Sequence, residues 1–400
     1  MPTFMRLSGK VRAAVRLASS PVVGYWERWQ YRGVYTPQPE KFDPHTHLVE
    51  AAQWICRAQD HGSDRGVSYG VPFGADFLPS YPETTGYIIC TFLKLARYFD
   101  DESYLQRAVE MGNWETEIQM DCGAVMGGMF NTNPTPAVFN TGMVLLGWAE
   151  LYRQTRAEVY RTAGERAARW LLAMQEPTGE WLRGNSQFAR STTTVYNVKA
   201  AWGLAEMGVA LNEPAFVNAA VRNAEYALGK QTANGWFQDC CLEDATRPLL
   251  HTVAYTMQGL VGIGKLTGRQ DFIDGAARTA KSLLDLMDDH GFIPGRIDAS
   301  FRPAAEWCCL TGTAQTSVVW SQLAMLPGLQ AFADAADLAN RYLMGHHDIS
   351  SPNPAIRGGL AGSWPTWGDY GRFKVLNWAT KFFVDALVLR TIPKSSKLAA

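Results

Sequence analysis

SYLQRA at residues 103–108 is the first of five similar segments. The others are VYRTAG at 159–164, AFVNAA at 215–220, DFIDGA at 271–276 and AFADAA at 331–336. Their aromatic residues follow one another at steps of 56, 56, 56 and 60 residues. A nearly constant step of this length is typical of a repeated structural unit. The sequence therefore predicts a repeat architecture.

Each repeat unit contains two amphipathic stretches, because apolar residues recur at spacings of three and four in both halves. A short polar turn, such as residues 211–214, joins the halves and favours an antiparallel helical hairpin. The third unit shows the pattern with Val198, Ala201, Trp202 and Ala205 in one helix, and Phe216, Ala220, Ala224 and Leu228 in its partner.

The number of hairpins decides between a closed ring and an open stack. First helices are expected near residues 84, 140, 196, 252 and 312, with a sixth over 373–389. The stretch 47–58 supplies the missing partner of the sixth, which predicts an all-α (α/α)6 toroid with short loop ribbons. An open superhelix is the alternative. The predicted domain is 41–392, between a basic extension, 1–40, and a tail, 393–400.

A second set of markers follows the predicted hairpins. Gly123, Gly179, Gly235 and Gly291 keep the 56-residue step, and Gln119, Gln175 and Gln231 precede the first three by four residues. WLLAMQEPTGEW at 170–181 resembles the QW repeat of terpenoid-cyclase and prenyltransferase toroids. A glutamine side chain can satisfy backbone groups at a helix end, so this is a structural signal.

Composition excludes several classes of partner. With 37 Lys and Arg against 38 Asp and Glu, the chain lacks the basic excess expected of a nucleic-acid-binding protein. No window approaches the length of a membrane span. Seven cysteines without a CxxC pair do not support a disulfide framework or a structural zinc site, and we expect neither metal nor cofactor.

The same features favour a cytoplasmic location. Residues 1–20 carry four basic and no acidic residues, which leaves peripheral contact with the inner membrane as an alternative to a frayed basic tail.

In the toroids that the repeats resemble, the first helix of each hairpin is inner, so all six inner helices would begin at one mouth of the ring. Polar residues occupy these starts, and their side chains suit general acid/base chemistry. Each is also compatible with an ordinary helix cap or a buried polar group. The predicted catalytic residues are His251, Tyr255, Tyr196 and Glu83, and the predicted substrate-binding residues are Tyr87, Asn140, Asn197, Gln315 and Asn377.

Loops add aromatic and cationic groups. IRGGLAGSWPTWGDYG at 356–371 carries Arg357, Trp364 and Trp367, and Arg296 lies in an earlier loop. Tryptophans in glycine-rich loops suit stacking on sugar rings, and arginine can hold a carboxylate at two points. We therefore expect Arg357, Trp364 and Trp367 to contact substrate. The alternative is that the tryptophans only cover the core.

The chain resembles a bacterial family of α/α-toroid proteins associated with cell-surface polysaccharide biosynthesis. The resemblance rests on the loop above and on YPETTGY, VFNTG, VYNVKAAW, HTVAYT, CLTGTAQ and NWATKFF. The resemblance implies an oligosaccharide or polysaccharide partner. Uronate lyases and C5-epimerases on such toroids are similar in using Tyr, His, Asn and Arg, which implies Tyr255 or Tyr196, His251, Asn197 and Arg357 here.

Other functions remain open from the sequence. A glycoside hydrolase needs two carboxyl groups, for which Glu83 could pair with Asp239, Glu243 or Asp298. Isoprenoid chemistry is an alternative because DCCLED and His251 resemble, loosely, the ligands of a prenyltransferase zinc site. A non-catalytic glycan-binding protein is the third class.

Overall fold

The computed structural model describes residues 35–38, 41–132, 135–185, 188–189 and 193–391. This part of the chain contains twelve α-helices, in two alternating sets. One set comprises α2 (Pro82–Phe99), α4 (Val138–Thr155), α6 (Val198–Leu211), α8 (Leu250–Thr267), α10 (Leu310–Ala324) and α12 (Asn377–Thr391). The other comprises α1 (Pro44–Asp60), α3 (Glu102–Glu117), α5 (Glu158–Met174), α7 (Pro214–Gly229), α9 (Gln270–Leu286) and α11 (Phe332–Gly345).

The helices form a closed (α/α)6 ring, as predicted. Helices α2, α4, α6, α8, α10 and α12 pack side by side in that order, and α12 contacts α2 to close the circle. Each is buried over most of its length and pairs with one amphipathic outer helix. The partner of α12 is α1, at the other end of the sequence. The open superhelix is therefore excluded.

Glycines allow the inner helices to approach closely. A Cβ atom on Gly203 of α6 would lie 1.9 Å from the carbonyl oxygen of Gly142 on α4. A Cβ atom on Gly147 of α4 would likewise lie 2.2 Å from the carbonyl oxygen of Gly86 on α2. Such distances are far below van der Waals contact, so only glycine fits at these crossings.

The repeated glutamines and glycines tie neighbouring hairpins together. Gln175 donates to the carbonyl oxygens of Gly179 and Ala219, at 2.8 and 2.9 Å. Gln119 makes the equivalent pair of bonds one repeat earlier. Gly179 has φ of 103°, and a Cβ atom there would lie 2.5 Å from the Arg222 carbonyl oxygen. The 56-residue markers are thus joints between outer helices, which confirms their structural interpretation.

Two small antiparallel ribbons lie among the loops at the start of the inner helices. Strand β1 (Gly70–Pro72) pairs with β4 (Lys374–Leu376), and β2 (Cys308–Cys309) pairs with β3 (Ser363–Trp364). No helix in the described part of the chain is long and apolar enough to cross a membrane. Residues 1–20 and the tail, 393–400, lie outside the described residues, so the proposed membrane contact stays a prediction.

Candidate functional site

The starts of the inner helices surround a cavity of about 290 Å³, which we call the mouth cavity. Its walls combine residues at or near the starts of the helices with residues from the preceding loops. The first group is Glu83, Phe139, Tyr196, His251, Thr252, Tyr255 and Trp378. The second is Tyr69, Tyr81, Phe188, Leu242, Glu243, Leu249, Arg296, Asp369 and Tyr370.

Glu83 is the most perturbed acid of this cavity. Pro82 begins α2 and places Glu83 in its first turn, where only 8% of the residue is exposed. Burial raises the pKa of Glu83 to about 7, although a hydrogen bond donated by the Tyr81 hydroxyl opposes this shift. A carboxyl group with such a pKa is half protonated at neutral pH and can donate or accept a proton there.

His251 is held in the neutral state. Its Nδ1 lies 2.8 Å from Oε1 of Gln315, so an Nδ1–H donor satisfies this amide oxygen and leaves the lone pair on Nε2. Burial lowers the pKa of His251 to about 3. The ring packs 4.3 Å from Tyr255 and 4.8 Å from Tyr370, measured between ring centroids. Gln315 is therefore a positioning residue behind His251.

The buried phenols of the site keep their protons. The hydroxyl groups of Tyr255 and Tyr87 lie 3.4 Å apart, and burial raises the pKa of both well above the ordinary value. Burial also raises the pKa of Tyr196. These groups are consequently hydrogen-bond donors at neutral pH and poor bases. Tyr87 lies behind Tyr255 and does not line the mouth cavity.

Among the described residues of the cavity wall, Arg296 is the cationic side chain. Its side chain is 12% exposed, donates to the Arg247 carbonyl oxygen at 3.0 Å, and pairs with Asp369 at 3.0 Å. A guanidinium has five N–H donors, so these contacts leave capacity for a bidentate contact to a ligand carboxylate. Glu243 joins Glu83 and Asp369 as the third carboxyl group of the wall.

The predicted catalytic set is therefore brought together: Glu83, Tyr196, His251 and Tyr255 all line one cavity. The two other loop acids weighed from the sequence are engaged elsewhere. Asp239 pairs with Lys230 at 2.9 Å, and Asp298 accepts hydrogen bonds from the backbone of its own loop. Of the three possible partners of Glu83, only Glu243 lies in the wall.

The three predicted asparagines do not line the cavity. Asn140 donates to the Met126 carbonyl oxygen at 3.0 Å, and Asn197 to the Thr194 hydroxyl at 2.7 Å. Asn377 donates to the Ser68 carbonyl oxygen at 2.7 Å. The amides of Asn140 and Asn197 fasten the preceding loops to their helix starts, and that of Asn377 fastens the loop before α2 to the start of α12.

The predicted loop residues Arg357, Trp364 and Trp367 are also absent from the cavity wall. Arg357 pairs with Glu50 of outer helix α1 at 3.4 Å. Trp364 belongs to β3, and its ring lies 5.0 Å from that of His346. The loop first packs on α1 and then forms β3 of the second ribbon. Of its residues, Asp369 and Tyr370 line the mouth cavity.

Sequence reasoning missed several wall residues, among them Tyr69, Tyr81, Asp369 and Trp378. Tyr81 had a usable signal, because it stands two residues before Glu83 in YPETTGY. Tyr69 and Trp378 meet edge to face at 4.6 Å between ring centroids. They come from distant parts of the chain, so nothing local indicates their contact.

The segment DCCLED does not form a metal cluster. Cys240 is buried with its sulfur 3.2 Å from the Thr256 hydroxyl oxygen. Across the described ranges, no group of three or more His, Cys, Asp or Glu side chains is placed to hold a metal ion. The likeness of this segment to a prenyltransferase zinc site thus has no geometric counterpart there.

No protein-family model and no curated protein matches the sequence. Among solved structures, an unsaturated glucuronyl hydrolase specific for heparin is similar, with a TM-score of 0.70 at 15% identity over 87% of this chain and 96% of that one. Cellobiose 2-epimerase from Bacillus thermoamylovorans is similar with a TM-score of 0.68 at 12% identity, over 86% and 97% of the two chains.

A third similar structure is a variant unsaturated glucuronyl hydrolase from Streptococcus agalactiae in complex with dGlcA-GalNAc6S. It has a TM-score of 0.63 at 12% identity, over 86% of this chain and 90% of that one. Identities this low establish a shared fold. The chain has the α/α-toroid fold that these sugar-acting enzymes use, and its chemistry must be argued from its own residues.

Proposed function

We propose that the protein is a carbohydrate-active enzyme that hydrolyses a glycosidic bond in the mouth cavity, with Glu83 as the general acid. The observation that carries this proposal is a buried carboxyl group with a pKa of about 7 in a cavity walled by aromatic side chains. Aromatic faces suit the apolar faces of sugar rings. The sugar-acting enzymes with similar folds support the same substrate class.

In this mechanism Glu83 gives its proton to the glycosidic oxygen as the bond from that oxygen to the anomeric carbon breaks. Glu243 is the second carboxyl group, and it takes a proton from the water molecule whose oxygen bonds to the anomeric carbon. The alcohol and the hydrolysed sugar leave, Glu83 regains a proton from solvent, and Glu243 releases its proton to solvent. Tyr196 and Tyr255 donate hydrogen bonds to the sugar.

Arg296 supports a substrate with a carboxylate, such as a uronate-containing oligosaccharide. Its guanidinium is the cation of the wall, and its low exposure would strengthen a contact with an anionic ligand. The similar glucuronyl hydrolases are named for an acidic sugar, which is consistent with this preference. The biosynthetic association implied by the family resemblance remains a prediction.

Epimerisation is the second candidate, because neutral His251 retains a lone pair on Nε2. Its lowered pKa makes it a weaker base than Glu83 carboxylate, which places this candidate second. Elimination by a phenolate is disfavoured further, since burial keeps Tyr255 protonated.

The test is a product analysis. Purified protein is incubated with oligosaccharides ending in saturated or unsaturated glucuronate, and with cellobiose as the neutral substrate, and products are separated by mass spectrometry and sugar chromatography. Hydrolysis adds the mass of one water, whereas epimerisation leaves the mass unchanged. Glu83→Gln should abolish hydrolysis, and Glu306→Gln, an exposed neighbour of Trp307, should not. Hydrolysis that survives in Glu83→Gln would overturn the proposal.

A further inference from the structure

A second cavity, of about 440 Å³, lies inside the ring toward the ends of the inner helices. We call it the far cavity. Its wall includes Arg97 in the last turn of α2, Arg153 near the end of α4 and Leu266 near the end of α8. Tyr87 lines the far cavity and Tyr255 lines the mouth cavity, so the contact between their hydroxyl groups separates the two.

Charge in the far cavity is unbalanced. Among the described residues, six cationic side chains line it against three acidic ones. The cations are Lys94, Arg97, Arg153, Lys199, Lys265 and Lys381, and the acids are Glu150, Glu206 and Asp385. With all six cations protonated the wall would carry an excess of three positive charges, whereas the whole chain is nearly neutral.

The acids are already engaged by four of these cations. Asp385 pairs with Lys381 at 2.6 Å and lies 3.8 Å from Lys94. Glu206 pairs with Arg153 at 2.5 Å. Glu150 likewise lies within 3.6 Å of Arg97 and 3.3 Å of Arg153. Within the described ranges, Lys199 and Lys265 have no carboxylate within ion-pair distance.

Lys199 is the group that points to a ligand. The residue is 4% exposed, and its ammonium group lies 4.0 Å from the ring centroid of Trp202. Trp202 is fixed in turn by a 2.8 Å hydrogen bond from its Nε1 to Glu206. A cation–π contact alone is weak compensation for a buried ammonium, whose three N–H donors normally find acceptors.

The protonation of Lys199 responds to the same surroundings. Burial lowers the pKa of Lys199 well below its ordinary value, and the charge of Lys381 lowers it further. The other charged or titratable groups that act on it are Asp385, Cys90 and Lys94. An anion in the cavity would favour the protonated amine, because opposite charges stabilise each other in a low-dielectric site.

We propose that the far cavity binds a small ligand bearing an oxyanion, a carboxylate, phosphate or sulfate group, with Lys199 and Lys265 as the cations that hold it. Apolar wall residues, Leu146, Val261 and Phe382, would contact the body of that ligand. The site is separate from the mouth cavity and does not depend on hydrolysis there.

The experiment is a binding titration by calorimetry and by melting temperature. Inorganic phosphate, sulfate, glucuronate and neutral glucose are compared at constant ionic strength, adjusted with chloride. The expected result is saturable binding of at least one oxyanion and none of glucose. Phosphate binding alone would indicate a phosphoryl ligand, and glucuronate binding alone a sugar acid. Absence of binding by all three anions would overturn the proposal.

Variants locate the site. Lys199→Met should weaken the binding of that oxyanion by ~10-fold or more, the loss expected for a charge-assisted hydrogen bond. Lys265→Met should also weaken oxyanion binding. If Lys199→Met does not fold, Lys265→Met alone tests whether the far cavity is the binding site. Lys281→Met, on exposed outer helix α9, is the matched control, and Glu83→Gln should bind the anion normally. Unchanged affinity in both Lys199→Met and Lys265→Met would refute the assignment.

Stability separates a binding lysine from a structural one. Without ligand, Lys199→Met should melt at the same or a higher temperature than the wild type, because it removes a buried amine that lacks an anionic partner. At the same oxyanion concentration, the melting temperature of the wild type should rise more than that of the variant. A lower melting temperature of the ligand-free variant would indicate a structural role and count against the site.

Discussion

The hydroxyl group of Tyr81 donates a 2.7 Å hydrogen bond to Oε2 of Glu83. The two residues flank Pro82, which begins α2, so the helix start itself fixes their geometry. The bond stabilises the ionised carboxylate, while burial stabilises the protonated form. Burial has the larger effect, and the balance leaves the pKa of Glu83 at about 7. Both protonation states are therefore accessible near neutral pH.

This balance predicts how Glu83 affects stability as pH changes. Its folded pKa of about 7 exceeds the ordinary value of 4.5, so its stabilising contribution is complete below pH 4.5 and is lost as pH rises through 7. Relative to the wild type, Glu83→Gln should gain up to about 3 kcal/mol in free energy of unfolding between pH 5 and pH 8. Urea denaturation at several pH values measures the difference in free energy of unfolding between Glu83→Gln and the wild type, with Glu306→Gln as control. A difference that does not change with pH would contradict the prediction.

Inner-helix glycines set the stability of the ring. Gly203→Ala places a Cβ atom against the Gly142 carbonyl oxygen, which forces the helices apart and should lower the free energy of unfolding by about 1–3 kcal/mol or more. Gly229 ends outer helix α7, and nothing lies within 4 Å of a Cβ atom there. Gly229→Ala should be neutral or stabilising by up to about 1 kcal/mol. Equal effects of the two substitutions in chemical denaturation would disprove the close-packing argument.

The sequence repeat explains which parts of the fold and of the candidate site could be predicted from the sequence. The 56-residue step predicts the ring and its closure by 47–58, because each joint repeats the same glutamine and glycine contacts. Glu83, Tyr196, His251 and Tyr255 could be placed at one mouth because a helix start has a fixed position in each repeat. The loops have no such register, which is why the sequence predicts Arg357 at the mouth, whereas the structure places Arg296 in the cavity wall.

Substitutions of Arg296 and Arg357 test which of the two arginines contacts a substrate carboxylate. Arg296→Met should raise KM for a glucuronate-terminated substrate by ~10-fold or more, since it removes a charge-assisted contact, and should change KM for a neutral substrate less. Arg357→Met should leave both values near those of the wild type, because Arg357 pairs with Glu50 on α1. The reverse ranking of the two variants would restore the sequence-based assignment.

Tyr255 distinguishes hydrogen bonding from proton transfer. If Glu83 is the acid, Tyr255→Phe removes one hydrogen-bond donor and should lower kcat by less than ~10-fold. If the phenol itself transfers the proton, the loss should reach ~10²-fold or more. Steady-state kinetics on the identified substrate decide between these values. A loss of the larger size would favour the mechanism that the likeness to toroid uronate lyases and C5-epimerases implies.

The pH dependence of kcat/KM tests the role of Glu83 most directly. If Glu83 is the general acid, kcat/KM should fall on the alkaline side with an apparent pKa near 7. Tyr81→Phe should move that limb to higher pH, because losing the hydrogen bond destabilises the carboxylate. Glu83→Gln should remove activity together with the limb. An alkaline limb that stays in place in Tyr81→Phe, or activity that rises with pH through 7, would contradict the assignment of Glu83 as the acid.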